Sequence, residues 1–140
     1  MQEISIGLLS RRTEVKIPTI RYYEQSGLMP SPSRTDGNRR TYDEGSERRL
    51  RFIRHARQLG FEVEAIRQLL DLSDQPDRPC AEADVIARAH LADIGSKIER
   101  LTALRFEVGR MVEECSHGRV CECRVIQVLA DHGQCEAQRH

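Results

Sequence analysis

The chain has 140 residues with three Phe, three Tyr and no Trp, too few aromatic side chains for a large core, so we expect a small domain with an appendage. The formal net charge is zero, but residues 1–60 carry 12 Lys and Arg against 7 Asp and Glu, whereas residues 61–140 carry 10 against 15. This asymmetry predicts that the front half binds a polyanion. Because no signal peptide or bilayer-spanning apolar run occurs, we expect a cytoplasmic protein with no membrane partner.

The first predicted elements are two short helices joined by a tight turn. Residues 5–12 form the first, with Ser5 as its N-cap, and residues 13–16 form the turn. Residues 17–25 form the second helix, with Pro18 in its first turn, where a missing N–H costs little. This is the helix-turn-helix arrangement, whose second helix reads DNA. The side chains that it would present are Lys16, Thr19, Arg21, Tyr22 and Tyr23.

A hairpin is predicted next, because an Asp-Gly-Asn turn lies between short extended arms in residues 34–42. Such a wing, with Arg39 and Arg40 near its tip and Tyr42 at its end, can reach phosphates or a minor groove. A basic third helix over residues 44–58 and a fourth over 62–72 follow, and residues 73–79 form a linker. A run of arginines alone is as often a solvated face. The combination of a helix-turn-helix, an arginine-bearing wing and a basic third helix within 60 residues favours binding to double-stranded DNA. Arginine contacts DNA both at phosphates and at base edges.

A single long helix is predicted over residues 81–112, because its apolar residues follow a 4-3 repeat with charged residues, including Glu107, on the outer face. The repeat consists of Ala87, Leu91, Ile94, Ile98, Leu101, Val108 and Val112, and Arg105 interrupts it. This is the coiled-coil pattern, in which the stripe packs against a partner helix. In an antiparallel homodimer, Cys80 at the start of one helix would lie beside Cys115 past the end of the other. Such a dimer would read a palindromic site.

Four potential metal ligands lie within nine residues, namely Cys115, His117, Cys121 and Cys123. In the cytoplasm thiols stay reduced, so five cysteines indicate metal ligands or redox thiols rather than disulfides. Sulfur ligands favour zinc, cadmium, lead, mercury and cuprous ions. A short helix over residues 123–129 would cover the site. A redox trigger is the rival, since thiols near Arg119 and His117 would have low pKa values. We assign no role to His132 and Cys135. Because no acid-base pair lies beside the thiol cluster, we do not expect an enzyme.

The chain resembles the MerR family of bacterial transcription regulators, at residues 19–24, at Gly27 and Leu28, and at residues 38–42. The resemblance continues through residues 49–53 and 59–61 to the long helix and so covers nearly the whole chain. It implies a mainly all-α fold with a winged helix-turn-helix DNA-binding domain over residues 1–75 and a linker over 76–80. An antiparallel dimerisation helix over 81–113 and a metal-binding loop, short helix and tail over 114–140 would complete the chain.

Family members bind a promoter dyad whose two polymerase elements lie too far apart, and effector binding makes the dimer distort that DNA. The resemblance therefore implies bacterial RNA polymerase holoenzyme as a partner. It places Arg21, Tyr23 and Arg40 at DNA-contacting positions, with Tyr22, Arg39 and Tyr42 beside them. Two residues depart from the family pattern: Glu14 stands where the turn usually has Gly, and Arg39 where the wing usually has Tyr.

The metal-sensing branch of the family holds its ion at the end of the dimerisation helix, and Cys115 and Cys123 match that cysteine pair. Cuprous sensors have Ser at the position of Cys80, whereas sensors of divalent ions have Cys there, which the other subunit contributes as a third ligand. Cys80 therefore favours a soft divalent ion: zinc, cadmium or lead, with mercury also open. The loop between Cys115 and Cys123 has seven residues, a length similar to that of cuprous sensors, so a cuprous ion stays an alternative effector. His117 and Cys121 match neither pattern and would complete a tetrahedral zinc site or bind a second ion.

Overall fold

The structure is a computed structural model that describes residues 3–35, 37, 39–115 and 117–131, apart from the side chain of Cys121. The chain divides into two compact units, residues 1–86 and 87–140. Helices dominate both, which confirms the predicted fold class. The elements are β1 (Ile4–Ser5), α1 (Ile6–Thr13), α2 (Ile17–Gln25), β2 (Ser33–Arg34), β3 (Arg40–Tyr42), α3 (Glu44–Gln58), α4 (Val63–Ser73), α5 (Ala81–Glu114), a 3-10 turn (Val120–Glu122) and α6 (Arg124–Ala130). None of the described helices combines the length and hydropathy that a bilayer crossing requires.

The helix-turn-helix of the first unit forms as predicted. The hydroxyl of Ser5 accepts the Leu8 N–H at 3.2 Å, so Ser5 caps α1 and the helix begins one residue later than its predicted start. Helix α2 has the predicted bounds, with Pro18 in its first turn. Leu9 from α1 and Ile20 from α2 are fully buried, and they anchor the two helices in one core.

The wing is a three-stranded antiparallel sheet rather than the predicted two-armed hairpin. Its order is β1-β3-β2, with Ser33 opposite Thr41 and Arg34 opposite Arg40 on one side of β3. The additional strand β1 pairs Ile4 with Tyr42 on the other side. A strand of two residues has no detectable alternation, so the sequence pattern gave no sign of β1.

Helices α3 and α4 complete the core of the first unit. Leu50, Ile53 and Ala56 are buried on α3, as their spacing predicts. Of the apolar residues that the spacing predicts to be buried on α4, Ile66 and Leu70 are buried, whereas Val63 and Leu69 are half-buried. Two arginines of these helices bond the chain that follows α2. Arg49 Nε donates to the Leu28 carbonyl at 2.6 Å, and Arg67 Nη2 donates to the Ser26 carbonyl at 2.8 Å. They therefore satisfy carbonyls near a helix end, which have no partner within the helix.

The second unit consists of most of α5, a loop and α6. The predicted coiled-coil stripe is largely exposed in the single chain, including Leu91, Ile98, Leu101, Val108 and Val112. The prediction that Glu107 lies on the solvated face is wrong, because its side chain is 2% exposed and forms an ion pair with Arg110 at 3.4 Å. Met111, one turn further, and Val128 of α6 are also buried. The periodicity of α5 alone contains no information about a second buried face at its end.

Glu14 adopts a left-handed conformation, with φ of 59° and ψ of 30°, at the C-cap of α1. This conformation costs a non-glycine residue about 1 kcal/mol. We therefore expect a Glu14→Gly protein to be more stable than a Glu14→Ala protein by about 1 kcal/mol, since only glycine relieves the strain. Both variants lose the 2.8 Å ion pair with Arg54, so the comparison isolates the backbone. Urea unfolding measures it, and equal stabilities would show that the turn is unstrained.

Candidate nucleic-acid interface and metal centre

Helix α2 presents a polar face from the first unit. Lys16, Arg21 and Tyr22 are exposed and Thr19 is half-buried, while Ile20 on the opposite face is buried. This arrangement follows from the helical period, because Ile20 and Tyr23, three residues apart, share the buried face and leave Arg21 and Tyr22 outside it, while Lys16 is the N-cap before the first turn. Four of the five side chains predicted for this helix are therefore accessible to a ligand.

A groove of about 420 Å³ lies between α2 and the wing, and we call it the arginine groove. It is lined by Arg21, Glu24, Gln25, Ser31, Pro32, Arg34 and Arg40. Three guanidinium groups against one carboxylate make this groove electropositive, which suits phosphate oxygens. The structure thus brings Arg21 and Arg40 together. Arg34 was not among the predicted DNA-contacting residues, although its position opposite Arg40 follows from the hairpin register.

Tyr23 and Tyr42 lie in the core, with 7% and 2% of their surfaces exposed, rather than on the surface of the interface. The Tyr42 hydroxyl donates to Glu24 Oε2 at 3.1 Å, and burial together with that carboxylate raises the pKa of Tyr42 to about 12. Both side chains belong to the buried core of the first unit. These two residues therefore support the interface from within, in contrast to the exposed Tyr22.

Arg39 is exposed at the tip of the wing. Its backbone N–H donates to Thr35 Oγ1 at 3.2 Å, and its carbonyl accepts the Thr35 N–H at 2.8 Å, so the two arms are closed just before the turn. Residues 36 and 38 of the predicted Asp-Gly-Asn turn lie outside the described residues. The side chain of Arg39 is available to a ligand beyond the arginine groove.

The arginines of α3 are mostly matched by carboxylates or carbonyls, so this helix is a weaker polyanion site than its sequence indicates. Arg51 pairs with Glu47 at 3.3 Å and Arg54 with Glu14 at 2.8 Å. Arg57 Nη1 donates to the Phe61 carbonyl at 2.9 Å. Helix α3 therefore contributes less unpaired positive charge than its five arginines indicate.

The second unit brings Cys115 and Cys123 together at the end of α5. The side chain of Cys115 lies within hydrogen-bonding reach of the Cys123 sulfur, although seven residues separate the two cysteines along the chain. Glu114 precedes the first cysteine and Arg124 follows the second, and Arg124 Nε lies 2.6 Å from Glu114 Oε2. This ion pair closes the loop at its base. This ion pair was not predicted, although the oppositely charged residues directly outside both cysteines are visible in the sequence.

The start of α6 affects the chemistry of Cys123. The backbone N–H of Ile126, and less strongly that of Val125, holds the pKa of the Cys123 thiol below its ordinary value, with the Cys115 side chain contributing. A lower pKa favours the thiolate, which is the form that binds metal ions. Two adjacent sulfurs, one of them biased toward the thiolate, fit a soft metal ion.

The other predicted metal ligands are Cys80, His117 and Cys121. Cys80 belongs to the first unit, is exposed and lies directly before α5, where its carbonyl accepts the Asp84 N–H at 2.9 Å. His117 is exposed in the loop. The side chain of Cys121 and all of His132 and Cys135 lie outside what the structure describes. Among the described residues of this single chain, no three His, Cys, Asp or Glu side chains converge on one point.

The chain matches the family model for MerR HTH family regulatory proteins over residues 4–73 and the model described as "MerR, DNA binding" over residues 47–110. It is 38% identical over 128 residues to the HTH-type transcriptional regulator ZntR of Escherichia coli K12, covering 89% of this chain and 90% of the relative. It is also 38% identical over 128 residues to HmrR of Rhizobium leguminosarum bv. viciae, covering 91% and 98%. The crystal structure of the transcription regulator PbrR691 from Ralstonia metallidurans CH34 in complex with lead(II) superposes with a TM-score of 0.77 and 36% identity, covering 90% of this chain and 98% of that one.

Proposed function

Because this chain belongs to the MerR helix-turn-helix family of regulatory proteins, we propose that it is a metal-responsive transcription regulator that binds a promoter dyad as a homodimer. Its effector would be a soft divalent ion: zinc, cadmium or lead, with mercury also open. The adjacent sulfurs of Cys115 and Cys123 are the observation that carries the metal response. The lead(II) complex of a relative that is 36% identical supports it.

In the proposed dimer the exposed apolar stripe of α5 packs against the same stripe of an antiparallel partner. Burying these side chains removes apolar area from water, which stabilises association. The antiparallel order would bring the Cys80 end of one subunit to the Cys115 end of the other. The dimer would then have two DNA-binding heads joined by one coiled coil. Each subunit would consist of a head over residues 1–75, a linker over 76–80, a dimerisation helix over 81–113 and a metal-binding end over 114–140.

The proposed metal site consists of Cys115 and Cys123 of one subunit and Cys80 of the other, with His117 and Cys121 as further candidates. A bound soft ion would bridge sulfurs from two subunits. The Glu114–Arg124 ion pair keeps the two loop thiols adjacent, and the backbone of α6 favours the thiolate of Cys123. A site shared in this way couples ion binding to the relative position of the subunits.

For DNA binding we propose that α2 enters the major groove, with Lys16, Thr19, Arg21 and Tyr22 facing the duplex. Arg39 and Arg40 of the wing would contact the flanking backbone. Two heads related by the dimer axis would read a palindrome. We further propose that ion binding changes the spacing of the heads and so distorts the promoter for RNA polymerase, which activates transcription.

Two alternatives use the same pair of sulfurs. Cys115 and Cys123 alone would form the two-thiolate site of the family's cuprous sensors, and the seven residues between them are similar in number to the loop of those sensors. Two adjacent thiols, one with a lowered pKa, also suit a redox trigger that closes a disulfide. These alternatives differ from the main proposal in their need for Cys80 and for an oxidant.

An anaerobic metal titration tests the proposed function. We expect the reduced dimer to bind zinc, cadmium or lead in competition with chelators, and the ion to change its complex with a duplex selected by the protein from a randomised pool. The bound ion should remain under reducing conditions because the site needs thiolates. Peroxide on metal-free protein is the control. A complex that responds to peroxide but to none of the ions would show that the trigger is redox, and a response to cuprous ions alone would select the copper alternative.

A further inference from the structure

We infer that Glu24 is a positioning residue that joins the wing to α2 and holds Arg40 in place for a DNA phosphate. This inference rests on the proposed DNA-binding function. Glu24 lies in the last turn of α2, and its partners lie on β3, so the same carboxylate touches both DNA-facing elements of the first unit. No contact of Glu24 with DNA is required.

Both carboxylate oxygens of Glu24 bond to the wing. Oε1 accepts from Arg40 Nη1 at 3.2 Å, and Oε2 accepts from the Tyr42 hydroxyl at 3.1 Å. The Glu24 side chain is 8% exposed, whereas that of Arg40 is 35% exposed. The carboxylate thus fixes one nitrogen of Arg40 from beneath and leaves the guanidinium partly open to the arginine groove. A planar guanidinium with five donors can bond a carboxylate on one edge and a phosphate on another.

The negative charge of Glu24 opposes any attraction between the arginine groove and a phosphate. A carboxylate that lines a phosphate-binding groove repels the ligand, so electrostatics alone predict that its removal strengthens DNA binding. A buried charge is also costly unless it is paired and hydrogen-bonded. The bonds to Arg40 and Tyr42 offset that cost, and the benefit to DNA binding is a wing and an arginine that are ordered before the duplex arrives. Positioning and repulsion therefore predict opposite signs for the same substitution.

The test is Glu24→Gln in the full-length reduced protein, measured against a duplex that the wild type selects from a randomised pool. We expect binding at least about tenfold weaker, because the ordered Arg40 contact is lost. The salt dependence, as the slope of log affinity against log salt, should fall by about 0.9 for one lost phosphate contact. In an Arg40→Ala background the same substitution should cost no further affinity, which a purely structural role would not produce.

Glu64→Gln is the matched control, because it removes an exposed carboxylate from the same unit without touching the arginine groove. Its affinity should equal or slightly exceed that of the wild type. Tyr42→Phe is a milder second variant, which removes one bond of Glu24 and retains the Arg40 pair, and it should bind about two- to fivefold more weakly. Circular dichroism and urea unfolding establish that each variant is folded.

Unchanged or tighter binding by folded Glu24→Gln would overturn the inference, and so would an unchanged salt slope. If Glu24→Gln does not fold, unchanged binding by Tyr42→Phe overturns it instead. A wild type that selects no duplex would overturn the proposed DNA-binding function together with this inference. The two failures are thus distinguishable, because the second is seen before any substitution is made.

Discussion

A Cys80→Ser protein should bind zinc, cadmium or lead at least about a hundredfold more weakly than the wild type, while its affinity for a selected duplex stays unchanged. Removing a residue that only hydrogen-bonds to a metal ligand already lowers metal affinity by roughly 10- to 100-fold, so removing a thiolate that binds the ion directly should lower it further. Cys80 is exposed and lies outside the α2 and wing surfaces, so operator binding has no reason to change. Competition with chelators under anaerobic conditions measures the effect.

Cuprous ions are the internal control for this substitution. Two thiolates suffice for a cuprous ion, so Cys80→Ser should keep its cuprous affinity while Cys115→Ser and Cys123→Ser lose it. Retained zinc, cadmium and lead affinity in the Cys80→Ser protein would show that the effector is held without Cys80. That result would favour a two-thiol copper or redox site.

The second large effect is expected in the coiled coil. An antiparallel pairing that aligns residue 81 with residue 114 of the partner places Ile98 at the centre, close to its own copy. An Ile98→Asp substitution removes two isoleucines from the interface, at about 1.5–3 kcal/mol each, and so weakens the dimer by roughly a hundredfold or more. Two carboxylates near the dimer axis add repulsion. Sedimentation velocity over a concentration series measures the dimer dissociation constant.

Ser96→Asp is the matched control for this substitution, because it introduces the same residue on the opposite, exposed face of the same helix turn. It should leave the dimer intact. The Ile98→Asp monomer should also lose tight divalent-ion binding, since Cys80 of a partner is no longer supplied. A dimer as stable as the wild type would mean that the exposed stripe of α5 is not the interface.

Elements with a strong repeat or a clear cap could be predicted from the sequence. Helix α2 was correctly bounded because Pro18 marks its first turn and Gly27 follows its end. Helix α5 was predicted to within two residues of its end, because its 4-3 repeat continues on both sides of Arg105. The buried residues of α3 also followed from their spacing. In each case local chemistry and the tertiary contacts favour the same structure.

The features that could not be predicted depend on residues far apart in sequence. Tyr42 is buried because β1 pairs with β3 and because Glu24 accepts its hydroxyl, and neither partner is adjacent to it. Glu107 is buried at the end of α5, where helical periodicity indicated a solvated position. The resemblance singled out Cys115 and Cys123 from the thiol cluster, and their side chains lie close together, while their role as metal ligands stays a prediction. The Glu114–Arg124 ion pair that closes their loop was not predicted, although the opposite charges directly outside the two cysteines are visible in the sequence.

The central claim is that each metal site takes Cys80 from one subunit and Cys115 with Cys123 from the other, and a mixed dimer tests it most directly. One chain would carry Cys80→Ser and the other would carry both Cys115→Ser and Cys123→Ser. Each chain would have a different affinity tag, so that two successive purifications isolate the mixed dimer. At a cadmium concentration too low to load either parent homodimer, the mixed dimer should bind one ion, because it contains one complete shared site. A mixed dimer that binds no ion under these conditions would contradict the account.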